Sequence, residues 1–215
     1  YRTISSYKFE KQDVLALDSI CIILKKNYRN YYNHIWPEIK SMLEIAKSKI
    51  DSVFVDSRII EKWEKATGMK YPEDKFEIVL SYANAIDNLP SANNLGPDRN
   101  NFGVSLENFK YTQDLIIHEI GIFTIMPVII KLFEDTSLHH PFIMDNGLIY
   151  QAIESYIELK KEEITANIKE WQGEIFGGGT FDFKWFFNYY RKNDADYKPE
   201  EIIKEAIWAY KNELS

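Results

Sequence analysis

A histidine and a glutamate stand next to each other in an apolar segment that has the pattern of a helix. The pair is His118-Glu119, within the segment Leu115–Phe123. An imidazole can bind a metal ion, and a neighbouring carboxylate can polarise the water bound to that metal. A second ligand on the same helix face would come one turn later, where the chain has Ile122. The pattern therefore indicates a hydrolytic metal site that lacks one ligand.

A glutamate on a later helix is the second candidate for this chemistry. Glu154 follows Tyr150 by one turn and lies on an otherwise apolar face with Ile153. A half-buried carboxylate needs a partner because an unpaired buried charge is costly. That partner is either a metal ion or a basic side chain. Glu158, one turn further along, is predicted to face solvent.

Three further residues are auxiliary candidates. His139 and His140 precede Pro141 in a turn, where one of them would either fold back as a replacement ligand or lie on the surface. Arg99 lies within a loop rich in Asn, Asp, Pro and Gly, and it faces either the site or the solvent. The sequence leaves both pairs of alternatives open.

The elements that must position these residues are mostly helical. Apolar periodicity predicts helices over about 13–27, 32–50, 57–67, 146–172 and 199–214, and a further helix that contains His118. Asp56 or Ser57 is expected to cap the third helix, Gly68 to end it, and Asn108 or Thr112 to cap the helix that carries His118.

Strand signals are fewer and lie near the middle of the chain. Phe76–Tyr82 alternates and is rich in strand-forming residues, and Phe102–Leu106 is a second, short candidate. Between them, Asn84–Asn101 is predicted to be a long loop. Val53–Val55 is a weaker strand candidate. Gly177–Gly179 is expected to form a loop, since no phosphate-binding motif surrounds it.

These elements predict an α+β fold that is predominantly helical with a small central sheet. The length of 215 residues suits a single domain over 1–215. Within it we expect a helical N-terminal part over 1–70, the sheet and the candidate active-site helices over 71–160, and a helical C-terminal part over 161–215.

Composition narrows the classes of function. The formal net charge of −7 disfavours nucleic-acid binding, which normally requires a basic surface. No apolar run is long enough to predict a membrane span. Cys21 is the only cysteine, which excludes an intrachain disulfide, and we expect it to be a buried apolar side chain. The chain begins at Tyr1 without methionine, which leaves secreted, cell-envelope and cytoplasmic locations all open.

The segment from Phe76 to about Ile157 resembles the catalytic core of zinc metallopeptidases of the gluzincin group. In that group a helical H-E-x-x-H motif is followed by a glutamate ligand on a later helix. The resemblance implies a zincin-like fold, with zinc ligands at His118 and Glu154 and a general base at Glu119. Ile122 departs from the motif, so the implied zinc site is weak or absent.

The resemblance also implies where a substrate would lie. Phe102–Leu106 would be the edge strand that pairs with an extended peptide, and Tyr150 or Tyr156 would stabilise an oxyanion. We therefore expect a metallopeptidase-like protein with weak or no hydrolase activity that binds a peptide or protein in a cleft. The alternative is a non-enzymatic helical interaction or structural domain, in which His118 and Glu154 belong to a polar network in the core.

Overall fold

A computed structural model describes residues 11–82, 91–96, 98–104, 109–138, 147–166, 168, 181–193 and 198–214. The chain divides into two compact units, residues 1–44 and residues 45–215. The hydrophobic core that surrounds the candidate site lies in the second unit. A single domain over 1–215 stays a prediction.

The described elements are mainly helices, with one small sheet. In chain order they are α1 (Lys11–Asn30), a π-helical turn (Tyr31–Ile35), α2 (Trp36–Phe54), α3 (Ile59–Thr67), β1 (Glu77–Ser81), β2 (Ser91–Gly96), β3 (Arg99–Gly103), α4 (Phe109–Thr124), α5 (Met126–Glu134), a 3₁₀ turn (Thr136–Leu138), α6 (Gly147–Thr165), α7 (Phe181–Asn193) and α8 (Pro199–Leu214). This confirms the predominantly helical α+β class with a small sheet.

Two predictions for the N-terminal half are wrong. Val53–Val55 does not form a strand, because α2 continues to Phe54 and buries Ile50 and Val53 on one face, three residues apart. Cys21 is exposed rather than buried. Within residues 1–44, the described elements are helical and include no strand, so this unit has no sheet that could cover Cys21.

The sheet contains a strand where the sequence predicts a loop. Its order is β1-β3-β2, with β3 parallel to β1 and antiparallel to β2. Both β2 and the start of β3 fall inside Asn84–Asn101, whose polar composition hides them. Backbone hydrogen bonds to β3 hold β2 in place, with Asn93 opposite Asn101 and Asn94 opposite Asn100.

Strand β3 is the central strand of this sheet, so the prediction that Phe102–Leu106 forms a substrate-binding edge strand is wrong. Both sides of β3 already carry a neighbour, which uses the backbone groups that an added peptide strand would need. The described strand ends at Gly103, and Leu106 lies outside the described residues.

Helix α3 ends as the sequence predicts but begins differently. Gly68 follows it with a φ of 66°, a left-handed conformation that glycine adopts without steric cost. The predicted cap at Asp56 or Ser57 is wrong. Arg58 precedes the helix, also with a positive φ of 51°, and gives it no side-chain cap. Its guanidinium instead pairs with Glu61 in the first turn.

Trp63 packs helix α3 closely against α4. The Trp63 side chain is fully buried, and its indole Nε1 donates to the carbonyl oxygen of Ile117 over 3.0 Å. Gly121 makes room for this ring, because a Cβ there would lie 2.5 Å from its Cζ2 atom. The two helices therefore meet closely one turn after the candidate site residue His118.

Helix α6 runs through the centre of the second unit. Ser155 donates from its hydroxyl to Phe183 of α7 over 3.0 Å, and Tyr190 of α7 donates to the carbonyl of Ala152 over 3.1 Å. Helix α6 ends at Thr165, short of the predicted 172, and Gly177–Gly179 lie outside the described residues.

No single described helix is long and apolar enough to cross a membrane. Only α4 and α5 taken together would meet such a requirement by length and composition, and they are bent by 64° with respect to each other.

Candidate functional site

Helices α4 and α6 bring His118 between two glutamates. Nε2 of His118 lies 3.2 Å from a carboxylate oxygen of Glu154, and Nδ1 lies 3.0 Å from a carboxylate oxygen of Glu158. The two glutamates are one turn apart on α6, so their side chains reach the same ring from neighbouring positions. The convergence of His118 with Glu154, which the sequence predicts, is present.

Glu158 is buried, so the prediction that it faces solvent is wrong. Its side chain is 1% exposed and also accepts a hydrogen bond of 2.6 Å from Lys161. Lys161, itself 2% exposed, donates a second bond of 2.7 Å to Asp114 of α4. A chain of alternating charges therefore crosses from α4 to α6. The sequence leaves open whether the partner of Glu154 is a metal or a basic side chain; in the structure Glu154 pairs with His118, and Lys161 pairs with Glu158 and Asp114.

Glu119 lies beside this chain of charges but bonds to the sheet. The side-chain amide of Asn100 donates to its carboxylate over 2.8 Å. Asn100 lies on β3 and is fully buried, and its Oδ1 atom has no hydrogen-bond partner among the described residues. Asn100 thus orients the carboxylate of Glu119, the residue that the resemblance to gluzincins implies as the general base.

The auxiliary candidates lie in different surroundings. The hydroxyl of Tyr150 hydrogen-bonds to Glu154, while about half of the side chain remains exposed. Tyr156 is buried in the core, edge-to-face with Tyr190 at 5.7 Å between ring centroids. Arg99 pairs with Glu77 of β1 over 2.6 Å at an exposed position. His139 and His140 lie outside the described residues.

The two glutamates keep His118 protonated. Burial alone would lower the pKa of the imidazole, but hydrogen bonds and charge from Glu154 and Glu158 outweigh it and raise the pKa to about 10. At neutral pH the ring is therefore an imidazolium that donates from both nitrogens. A metal ion at Nε2 would have to displace this proton.

The neighbouring carboxyl groups are shifted in different directions. Burial raises the pKa of Asp114 to about 6, although Lys161 partly opposes the shift. Burial also raises the pKa of Glu119, against the influence of His118 and Asn100. The pKa of Glu158 is lowered, because its bonds and charge interactions with His118 and Lys161 outweigh its burial. Asp114 and Glu119 are thus the carboxyl groups of the cluster whose pKa values are raised, and Glu158 is the one whose pKa is lowered.

The ligand geometry fits part of a zinc site. Two donor atoms bound to one tetrahedral zinc at about 2.1 Å each are about 3.4 Å apart. The separation of 3.2 Å between His118 and Glu154 is close to that value. However, the described His, Cys, Asp and Glu residues form no group of three that could hold a metal ion. A catalytic zinc takes three protein ligands and a water, so these residues do not fit one.

Sequence reasoning missed Asp114, Asn100, Glu158 and Lys161 as site residues. One available signal was spacing, because Asp114 precedes His118 by four residues and Glu154, Glu158 and Lys161 follow each other by four and three. Each set therefore shares one face of its helix. Asn100 gave no comparable signal, since it lies in a polar segment on a strand the sequence does not predict.

No protein-family model, curated protein or solved structure matches this chain.

Proposed function

We propose that this chain is a metallopeptidase-like protein whose metal site is incomplete and whose hydrolase activity is weak or absent. The observation that carries the proposal is the convergence of His118 and Glu154 at a distance suited to shared metal ligation. The two residues are 36 positions apart in the sequence and lie on different helices, α4 and α6.

The bond from Glu158 to Nδ1 of His118 supports the same proposal. Metal-binding histidines usually donate their second ring nitrogen to a carboxylate, which fixes the ring and leaves the other nitrogen for the metal. Here Glu158 takes that outer position while Glu154 meets Nε2. The arrangement thus supplies an oriented first ligand, a further carboxylate ligand and an acid–base candidate at Glu119.

The missing ligand argues for lost rather than retained hydrolysis. Ile122 lies one turn after His118 on α4, where the second histidine of the motif would stand, and it packs partly buried against the core. Its sec-butyl side chain offers no electron pair to a metal. We therefore propose that the cluster persists as a charge network, and that any peptide or protein partner is bound without being cleaved.

A second candidate function is the helical interaction or structural domain. The observation that favours it is Lys161, which already neutralises Asp114 and Glu158 inside the core. In that case the cluster stabilises the packing of α4 on α6 and has no ancestry in a metal site. The two candidates differ in how the cluster responds when the missing histidine is supplied.

The test is the substitution Ile122→His with zinc binding measured by calorimetry on the metal-free protein. We expect the wild-type protein to bind zinc weakly and the variant to bind it more than about a hundredfold more tightly. A gain of that size exceeds the effect on metal affinity of a residue that only hydrogen-bonds to a ligand. Ile122→Gln serves as the matched control, because it introduces a polar side chain of similar length without an imidazole.

The added substitution Glu154→Gln should remove most of the gain in affinity. An Ile122→His variant that folds, as judged by circular dichroism, but binds zinc no better than Ile122→Gln would contradict the metallopeptidase proposal and leave the structural domain. Peptide hydrolysis by the wild-type protein at about 1 s⁻¹ or faster, lost in Glu119→Gln, would contradict the proposal that activity is weak or absent.

A further inference from the structure

The helix within residues 1–44 carries an apolar row that the described residues leave open to solvent. Its members recur every three or four residues on one side of α1 and the π-helical turn, and six of them form what we call the N-terminal seam: Val14, Leu17, Cys21, Leu24, Tyr28 and Tyr31. Each of these side chains is exposed, by 40% to 63% for the five with printed values.

The spacing of the seam is that of a two-stranded coiled coil. Alternating steps of three and four residues place Val14, Cys21 and Tyr28 at a positions and Leu17, Leu24 and Tyr31 at d positions of a heptad. The row is about 26 Å long at 1.5 Å per residue. In aqueous solution such a row of apolar side chains is unfavourably exposed, and packing against another helix removes it from water.

The charges beside the seam select the partner and its direction. Asp18 and Lys25 both occupy e positions, next to the d residues Leu17 and Leu24. In an antiparallel pair, e positions face e positions, so Asp18 of each copy meets Lys25 of the other. A parallel pair would instead place Asp13, at a g position, against Asp18 of the second copy.

In the same antiparallel register, every residue of the N-terminal seam has a packing partner in the other copy. With an a position facing a d position in every layer, Val14 packs on Tyr31, Leu17 on Tyr28 and Cys21 on Leu24 of the other copy. Two-fold symmetry repeats each of these layers. The contacts of Asp18 with Lys25 fall in this register without any shift, so one alignment satisfies both the apolar row and the charges.

We propose that this chain forms an antiparallel dimer in which the N-terminal seams of two copies pack on each other. The occupant of the seam is a second copy of the same helix. The proposal is independent of the metallopeptidase-like function, because the seam lies in residues 1–44 and the charge cluster in residues 45–215.

Sedimentation velocity of the full chain, in reductant and from about 1 to 100 μM, tests the dimer. We expect concentration-dependent dimerisation that Leu24→Asp abolishes. Ile23→Asp is the matched control, since Ile23 is 59% exposed against 63% for Leu24 but lies outside the seam. A wild-type monomer throughout, or a dimer that survives Leu24→Asp, overturns the proposal.

Charge reversal tests the direction. Asp18→Lys should raise the dimer dissociation constant by about tenfold, because two symmetric pairs become repulsive. Lys25→Asp should do the same, and an equimolar mixture of the two variants should restore wild-type affinity. Tighter association of Asp18→Lys alone would indicate a parallel pair and overturn the proposal.

A membrane surface is the other possible cover for an apolar helix, and sedimentation with vesicles distinguishes it. Vesicles of phosphatidylcholine and phosphatidylglycerol should leave the wild-type protein in the supernatant. Binding of a monomer to these vesicles, lost in Leu24→Asp, would overturn the dimer.

Discussion

At the scale of single residues, the centre of this protein is a histidine held by two glutamates. Each nitrogen of His118 has a carboxylate partner, and Lys161 bonds to both Glu158 and Asp114. Buried charges of this kind are stable only together, because each one depends on its neighbour for the interactions that water would otherwise supply. Removing one partner should therefore cost more than removing an exposed ion pair.

Glu158→Gln should lower the free energy of unfolding by about 3 kcal/mol, since it leaves His118 and Lys161 buried without their shared counter-charge. Urea denaturation at pH 7 measures the change. The same substitution at Glu44, which forms an exposed pair with Lys40, is the control and should change stability by less than about 0.5 kcal/mol. Equal effects of the two substitutions would contradict a coupled network.

Stability should fall as the pH rises from about 6.5 to about 10. The pKa of His118 is raised from 6.5 to about 10 in the folded protein, so folding favours the protonated ring. That contribution is complete below the unfolded pKa and disappears as the pH passes the folded pKa. Urea denaturation across this range measures the slope.

His118→Gln should flatten the slope between pH 6.5 and 10, because it removes the group that loses its proton there. The pKa of Asp114 is raised to about 6, so its contribution changes below this window. A wild-type curve that is level over the same range would show that the glutamates do not hold the ring protonated.

At the scale of elements, the site depends on how closely α4 can approach its neighbours. Trp63 of α3 lies against the backbone of α4 at Gly121, and its indole bonds to Ile117. One turn before Gly121, Glu154 and Glu158 of α6 reach His118. The sequence predicts that α4 is a helix and which residues share each of its faces. These two contacts determine which face carries the site.

Gly121→Ala should destabilise the protein by about 2 kcal/mol, because the new methyl group would overlap the buried ring of Trp63. Thermal or urea denaturation measures the loss. Gly147→Ala is the matched control, since a Cβ at that helix start meets no atom within 4 Å. If the two alanine variants are equally stable, the close packing of α3 on α4 does not limit the fold.

At the scale of the whole molecule, the acidic composition limits the partners. With a formal net charge of −7, the chain repels polyphosphate backbones over the distances at which proteins first meet nucleic acids. The charged residues of the core pair with one another, and the cations among them, His118 and Lys161, add no basic surface.

We expect no binding to double-stranded DNA or RNA in a mobility-shift assay at about 100 mM salt with protein up to about 10 μM, a concentration at which basic proteins bind non-specifically. Retarded bands whose intensity falls with added salt would show a basic surface that the net charge conceals.

The sequence by itself determines most of the helices and the residues that could do chemistry. Periodicity places His118 on a helix, and Gly68 marks the end of α3, because both signals depend on neighbours within one or two turns. The resemblance to gluzincins implied the meeting of His118 with Glu154, whereas the apolar face around Glu154 indicated only that its carboxylate needs a partner. Only the tertiary structure shows that Glu158 is buried, since its burial depends on α4 packing against α6. The strand β2 likewise becomes visible only in the sheet, because its polar side chains carry no strand signal and its stability comes from backbone hydrogen bonds to β3.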